Sequence, residues 1–114
     1  MSLKQELEQF TGTEHWYKVA PFTKFAITDG VKHFADKGGA YWAVHDVLAT
    51  ATALQKDMLV VTITSKDEKA VIEYEDGDYN KLEFANAKYP YTDLEEGTYK
   101  FYVMGGVMLL PSEY

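Results

Sequence analysis

The chain has 114 residues and a formal net charge of −7, since 18 acidic side chains outnumber 11 basic ones. Apolar residues make up 46% of it and charged residues 25%, which is ordinary for a globular protein and excludes a disordered acidic tail. We therefore expect residues 1–114 to form a single domain.

The basic residues are all lysines, and arginine is absent. Arginine makes two-pronged contacts to phosphate and guanine, so its absence and the negative net charge argue against direct nucleic-acid binding. Charge is also uneven, because residues 1–57 carry a net charge of −1 and residues 58–114 one of −6. We expect the second half to present an acidic surface that attracts basic partners.

Several chemistries are excluded by residue types or motifs that are missing. Cysteine is absent, which excludes disulfides, thiolate nucleophiles and thiolate metal sites. None of the three serines lies in the nucleophile motif G-x-S-x-G, and no glycine-rich phosphate loop occurs. His15, His33 and His45 are 18 and 12 residues apart, which matches no compact metal-binding motif. We expect neither a metal nor a cofactor.

Membrane and targeting segments are not evident in the sequence. No apolar run approaches the roughly 18–20 residues of a membrane helix. The segment 1–8 is polar and charged, and it lacks the apolar stretch of a signal peptide. The sequence therefore predicts a soluble cytoplasmic protein with no membrane partner.

Three helices are predicted in the first half of the chain. Leu3, Leu7 and Phe10 repeat at i, i+4 and i+7, which predicts a short helix over residues 2–10. A helix start signal at Thr28-Asp29-Gly30 and a stop at Gly38-Gly39 delimit a second helix. Residues 40–55 are apolar almost all round, so we expect a third, buried helix at the centre of the domain.

From residue 58 the apolar pattern changes to a period of two, which is typical of strands. An odd-length turn centred on Gly77 would pair Ile72 with Leu82, and a two-residue turn at Gly105-Gly106 would pair Val103 with Met108. Residues 86–97 are predicted to form a long loop, either a plain connection or a functional one. The fold class predicted is α+β, with N-terminal helices packed on one face of an antiparallel meander of about five strands. These strands are 58–64, 70–75, 79–85, 98–104 and 107–110.

The segment before the second helix concentrates polar and aromatic side chains. As a ligand-contacting loop, it would use aromatic rings for contact area and Glu14 or His15 for polarity. In the structural alternative, Trp16 and Tyr17 fill the core, the threonines cap local turns and Glu14 lies at the surface. The candidate residues are Thr11, Thr13, Glu14, His15, Trp16 and Tyr17.

Asp29 stands at the predicted start of the second helix. A helix N-terminus can bind an anion. Asp29 already brings a negative charge to this position, and the glycine spacing of a phosphate loop is missing, so the preferred interpretation is a plain helix cap.

The third helix carries four more candidate residues near its start. Tyr41 and Trp42 add aromatic surface, while Trp42, His45 and Asp46 share one side of the helix at i, i+3 and i+4. A carboxylate in an otherwise apolar helix needs a partner. Asp46 would bond a loop N–H or a lysine, or else orient a histidine or Glu14 for acid–base chemistry.

An acidic strip runs from the second predicted strand into the turn that follows it. As a solvated hairpin tip, it would discourage edge pairing. As the alternative, its charges would mimic the backbone of a nucleic acid. Its members are Glu73, Glu75, Asp76 and Asp78.

Three motifs carry a resemblance to a known family. They are Phe10–Tyr17 (F-T-G-T-E-H-W-Y), Thr28–Val31 (T-D-G-V) and Gly39–Trp42 (G-A-Y-W). In this order they resemble a family of small uncharacterised bacterial proteins, often phage- or plasmid-associated, over about residues 3–55. The resemblance implies no assigned activity, and its pattern favours an aliphatic residue where His45 stands, followed by an acid at Asp46.

Our leading hypothesis is a non-enzymatic binding or interaction protein of the bacterial cytosol, from a mobile element. Its partner would be a protein, and exposed sheet edges with the apolar C-terminal hairpin favour a homodimer. One alternative is a small-molecule-binding protein or small enzyme, with a pocket between the 40–55 helix and the 11–17 loop that uses Glu14, Asp46 and His15. Another is an acidic inhibitor that mimics nucleic-acid charge.

Overall fold

The computed structural model describes residues 2–18, 24–56 and 58–114. Within these ranges the chain forms helices, strands and two single turns of 3₁₀ helix at Glu83–Ala85 and Pro111–Glu113. The helices are α1 (Leu3–Leu7), α2 (Asp29–Gly38) and α3 (Tyr41–Leu54). The strands are β1 (Tyr17–Lys18), β2 (Ala26–Ile27), β3 (Met58–Lys66), β4 (Lys69–Asp76), β5 (Ala87–Tyr89), β6 (Gly97–Met104) and β7 (Val107–Leu109).

The strands form one mixed sheet in the order β1-β2-β7-β6-β3-β4-β5. Neighbouring strands are antiparallel except β2 and β7, which run parallel with Ala26 opposite Val107. The α+β content is as predicted, but the five-stranded antiparallel meander preceded by all the helices is wrong. β1 and β2 lie between α1 and α2, and strands of two residues are too short to show a period of two.

The predicted strand over 79–85 is also wrong. Leu82 enters the core and its N–H donates to the carbonyl of Tyr74, whereas Phe84 is 76% exposed. Residues 83–85 instead turn into 3₁₀ helix, and the predicted pairing of Ile72 with Leu82 does not form. Ile72 pairs with Ala87 of β5, so the predicted loop over 86–97 begins with a strand.

The second predicted turn is confirmed. Gly105 and Gly106 join β6 to β7 with φ of 59° and 79°, and Val103 lies opposite Met108. Two successive residues with positive φ are the requirement of a two-residue type I′ hairpin, which glycine meets without a steric cost.

The core lies between one face of the sheet and the helices. Leu59, Val61 and Ile63 of β3 point into it and are fully or almost fully buried. Phe34 of α2 places its ring 4.9 Å from that of Phe101 on β6. The alternate residues of β3, such as Val60 and Thr62, lie half-buried on the opposite face of the sheet.

The third helix is less enclosed than its composition predicts. Val44 and Val47 are fully buried, but Tyr41, His45 and Ala49 form an exposed stripe at i, i+4 and i+8. The expectation of a helix buried all round is therefore wrong, because α3 lies at the outside of the helical layer. Among the described helices, none combines the length and the apolarity needed to cross a bilayer.

Candidate functional site

The predicted loop over 11–17 docks on the N-terminus of α2 through Asp29. The N–H of Asp29 donates to Thr13 Oγ1 (2.9 Å), and its carboxylate accepts from the N–H of Glu14 (2.9 Å) and the hydroxyl of Tyr17 (2.9 Å). The Glu14 N–H, more than the hydroxyls, holds the pKa of Asp29 below its ordinary value. Asp29 therefore organises this segment.

The C-terminal turn occupies the same helix end. Glu113 Oε2 accepts from the N–H of Gly30 (3.0 Å), while Oε1 accepts from the hydroxyl of Thr28 (2.6 Å) and the N–H of Leu110 (3.0 Å). Together with Asp29, a second carboxylate thus fills the space in front of the first turn. The hypothesis of an anion site at this helix start is not supported.

The other residues of the loop lie at the surface. Trp16 is 58% exposed, so it does not fill the core. His15 is exposed with its Nδ1 3.8 Å from Asp29 Oδ1. Thr11 and Glu14 line an open groove of about 460 Å³ beside Asp29.

Asp46 has two tyrosine partners. Tyr74 of β4 donates its hydroxyl to Asp46 Oδ1 (2.7 Å), and Tyr89 of β5 donates to Oδ2. The rings of Trp42 and Tyr89 pack with centroids 4.5 Å apart. Burial and then the bond to Asp46 raise the pKa of Tyr89 to about 12. Asp46 therefore connects α3 to two strands. Among the described residues, it bonds these tyrosines and none of the predicted partners, which were a loop N–H, a lysine, His45, Glu14 or His15.

Tyr41 belongs to a separate cleft. Its hydroxyl donates to Asp36 Oδ1 (2.6 Å). The hydrogen bond from Lys32, and then this bond from Tyr41, hold the pKa of Asp36 below its ordinary value. The cleft has a volume of about 300 Å³ and lies between α3, α2 and strand β1. Its lining residues are Tyr17, Lys18, Ile27, Lys32, Tyr41 and His45. The candidate residues therefore lie in three separate places, which are the segment around Asp29, the contacts of Asp46 and the cleft at Tyr41. Glu14, His15 and Asp46 do not meet in one pocket.

The predicted acidic strip is divided as well. The Asp76 carboxylate accepts from the N–H groups of Asp78 (2.8 Å) and Asn80 (3.0 Å), and these bonds stabilise the turn after β4. Glu73 and Glu75 instead project from the sheet face that carries Thr62. Asp76 thus has a local structural role in the turn, whereas Glu73 and Glu75 belong to the sheet face. In the described parts of the chain, no group of three or more His, Asp or Glu side chains has the geometry of a metal site.

A feature that the sequence analysis missed is the free edge of β6. This strand has eight residues, but β7, its neighbour on that side, has only three. The type I′ turn makes Met104 and Val107 a hydrogen-bonded pair, so the N–H and C=O of Met104 point toward β7. Every second residue before it on β6 points its N–H and C=O to this same side of the strand. Lys100 and Thr98 therefore present their backbone groups beyond the end of β7.

The ladder ends here for a local reason. Continuing the register from Tyr102 opposite Leu109 would place Pro111 opposite Lys100. Proline has no N–H to donate, and the chain turns away into its 3₁₀ turn at this residue. Among the described residues, no backbone partner replaces β7 along Thr98 and Lys100.

A groove of about 350 Å³ runs along this free edge. Its floor and walls are largely apolar, because Leu7, Tyr99 and Leu110 form them. Lys4, Glu8 and Lys100 bring charge to it. An unpaired strand edge beside an apolar groove can accept an extended peptide as an additional strand. The groove is completed by Thr98 on β6 and by Pro111 and Ser112 of the C-terminal turn.

Only one weak signal for this edge is present in the sequence. The predicted strands at 98–104 and 107–110 differ in length, and Pro111 follows the shorter one. With the confirmed register at Val103 and Met108, that proline predicts an unpaired stretch of β6. The contribution of Leu7 has no such signal, because α1 is far away in the sequence.

Comparison with known proteins gave one match. A family model described as a family of unknown function (DUF6876) matches residues 1–114, the full length of the sequence and more than the 3–55 expected from the motifs. No curated protein and no solved structure matches the chain.

Proposed function

We propose that this chain, which belongs to the family of unknown function DUF6876, is a non-enzymatic binding protein that takes up an extended peptide of a protein partner along the free edge of β6. The observation that carries the proposal is the pair of backbone groups of Thr98 and Lys100 facing an apolar groove. The resemblance of the N-terminal motifs further supports a bacterial, phage- or plasmid-borne origin and a cytoplasmic location.

Strand addition accounts for both affinity and selectivity. Four backbone groups of Thr98 and Lys100 would pair with the peptide, and each hydrogen bond contributes about 1 kcal/mol net. These bonds do not depend on the peptide's sequence, so selectivity comes from its alternate side chains. One apolar side chain would lie on Leu7, Tyr99 and Leu110.

The charged residues at the groove indicate which peptides would bind best. Lys4 and Lys100 outnumber Glu8, which leaves a local excess of one positive charge. An acidic residue next to the apolar one would therefore be favoured over a basic one. The proposed ligand is an extended segment with alternating apolar and acidic side chains.

The experiment is selection of displayed random peptides, followed by calorimetry and NMR with a selected peptide. We expect binding to slow the amide hydrogen exchange of Thr98 and Lys100. N-methylation of the peptide amides that pair with this edge should weaken binding by about tenfold or more. Methylation at alternate peptide amides is the matched control, and it should have little effect.

A variant that fills the groove gives an independent test. Ser112 is exposed and lines the groove, so Ser112→Trp should weaken binding by about tenfold. Thr11→Trp adds the same ring at an exposed position outside the groove and should leave binding unchanged. Strand addition at β6 would be refuted if neither N-methylation of the peptide nor Ser112→Trp changed the affinity of the selected peptides.

A second candidate function rests on the cleft between α3 and β1. Lys18 and His45 line it, and their side chains make no hydrogen bond to another described residue. These donors favour a small ligand that bears a carboxylate or a phosphate. A thermal-shift screen of carboxylates and phosphates tests this, with Lys18→Ala expected to abolish any stabilisation and Lys66→Ala, outside the cleft, to preserve it.

A further inference from the structure

The sheet face that turns away from the helices carries a negative charge on one side of β3 and a positive charge on the other. Thr62 of β3 lies between Glu73 of β4 and Lys100 of β6, and the three side chains share this face. Two strand spacings, about 10 Å, separate the backbones of the outer residues, so a direct contact between their side chains would have to reach across Thr62. Both side chains are exposed, and neither has an ion-pair partner among the described residues.

The side of Glu73 forms an acidic groove. This groove has a volume of about 220 Å³ and opens on the uncovered face beside Thr62. Three carboxylates, of Glu73, Glu75 and Glu83, line it with one ammonium group, of Lys81. Its net charge of about −2 favours a lysine side chain from another molecule.

We infer that this face binds a second copy of the chain, with Lys100 of each copy entering the acidic groove of the other. A two-fold axis parallel to β3 and passing over Thr62 exchanges the β4 side with the β6 side. Glu73 of one copy then faces Lys100 of the other, and the contact forms twice. An axis perpendicular to the strands would place Glu73 over Glu73 and Lys100 over Lys100, which is repulsive, so charge selects the first arrangement.

Neighbouring residues of this face fit the same axis. Val60 lies between Glu75 of β4 and Tyr102 of β6, in the same arrangement as around Thr62. The two-fold axis therefore places the hydroxyl of Tyr102 over Glu75 of the other copy. Val60 and Thr62 then face their own counterparts along the axis. Both are already half-buried, which suits aligned packing of two sheets about 10 Å apart.

Charge exchange tests the proposal. Sedimentation velocity over a concentration series should show a reversible dimer for the native chain. Glu73→Lys and Lys100→Glu should each weaken dimerisation by about tenfold or more, because each places like charges in both contacts. The first variant carries lysine at both positions and the second carries glutamate at both, so an equimolar mixture of the two should dimerise again. The double variant Glu73→Lys with Lys100→Glu should also dimerise.

The controls keep this test separate from folding and from peptide binding. Lys37→Glu, at an exposed position of α2 on the other side of the sheet, and Glu68→Lys, at the exposed β3–β4 turn, change charge outside this face and should leave the dimer intact. Glu73 lies outside the β6 edge groove, so monomeric Glu73→Lys protein should still bind the peptide of the proposed function. A native chain that is monomeric at every concentration, or single variants that dimerise normally, would overturn the inference. So would a mixture of the two single variants that stays monomeric.

Discussion

Asp46 and Tyr74 join α3 to the sheet through a hydrogen bond of 2.7 Å between a carboxylate and an almost fully buried phenol. The same carboxylate accepts from Tyr89. Burial, more than any other cause, raises the pKa of Tyr74 far above its ordinary value, so this hydroxyl stays protonated and needs an acceptor. The pair thus explains why a charged residue stands in an apolar helix.

Replacing Asp46 should therefore destabilise the fold. Asp46→Ala removes the carboxylate that accepts from both tyrosine hydroxyls, and we expect the free energy of unfolding to fall by about 2–4 kcal/mol. Asp46→Asn keeps one acceptor oxygen and should cost about half as much. Urea denaturation measures both, with the exposed Asp93→Ala as a control that should change stability by less than about 0.5 kcal/mol. Equal stabilities for native and Asp46→Ala proteins would show that the tyrosines find other partners.

Asp29 should make stability depend on pH in the acid range. Its pKa in the folded state lies below the ordinary value of 3.8, chiefly because the Glu14 N–H donates a hydrogen bond to the carboxylate. The folded state thus holds the ionised form more strongly than the unfolded state does. The resulting stabilisation is fully present well above pH 3.8 and is lost as the pH falls through the folded pKa.

The measurement is the free energy of unfolding of native and Asp29→Asn proteins over the acid range. We expect the difference between the two curves to be largest near neutral pH and to shrink below pH 3.8. Asp67→Asn, at an exposed turn position, should run parallel to the native curve. A difference between the native and Asp29→Asn curves that does not change with pH would mean that the hydrogen bonds, and not the charge, matter.

Local patterns predicted the helices well and the sheet only in part. Leu3 with Leu7 and the apolar run before Leu54 repeat with the helical period, and the helices lie within the predicted ranges. Residues 79–85 alternate as a strand would, yet the turn after Asp76 sends only Leu82 into the core. Alternation reports which side chains are apolar, and it does not report whether a neighbouring strand is in reach.

The candidate sites depended on contacts between distant residues, which local patterns do not contain. The hypothesis that Asp46 needs a partner followed from the cost of burying a carboxylate, but the identity of Tyr74 and Tyr89 depended on the sheet order. The β6 groove combines Leu7 with Leu110, from opposite ends of the chain. The packing of α1 on α2 and the docking of the C-terminal turn on α2 bring these residues together.

Gly30 stands in a helix, but replacing it with alanine is predicted to destabilise the fold. A Cβ at this position would lie 2.5 Å from Leu110 Cδ1 and 2.8 Å from Glu113 Oε1. Relieving this overlap moves Glu113, whose carboxylate bonds Thr28 and the N–H groups of Gly30 and Leu110. We expect Gly30→Ala to lower the free energy of unfolding by about 1–3 kcal/mol, despite the better helix propensity of alanine.

Thermal denaturation of Gly30→Ala and Gly12→Ala provides the comparison. Gly12 has open space around its Cα, so its replacement should change stability by less than about 0.5 kcal/mol. Gly30→Ala should also weaken peptide binding in the β6 groove, because Leu110 forms one of its walls. A Gly30→Ala protein as stable as the native chain would mean that the C-terminal turn shifts without losing its bonds.

Hydrogen exchange along β6 tests the free edge without any ligand. The N–H groups of Tyr99 and Phe101 point to β3, whereas those of Thr98 and Lys100 point past the end of β7. We expect Thr98 and Lys100 to exchange about a hundredfold faster or more than their neighbours. Tyr102 has the same orientation but lies opposite Leu109, so its protection is the internal control. Uniform protection from Thr98 to Tyr102 would mean that the edge is already paired, and the groove would then have no backbone groups to offer an incoming strand.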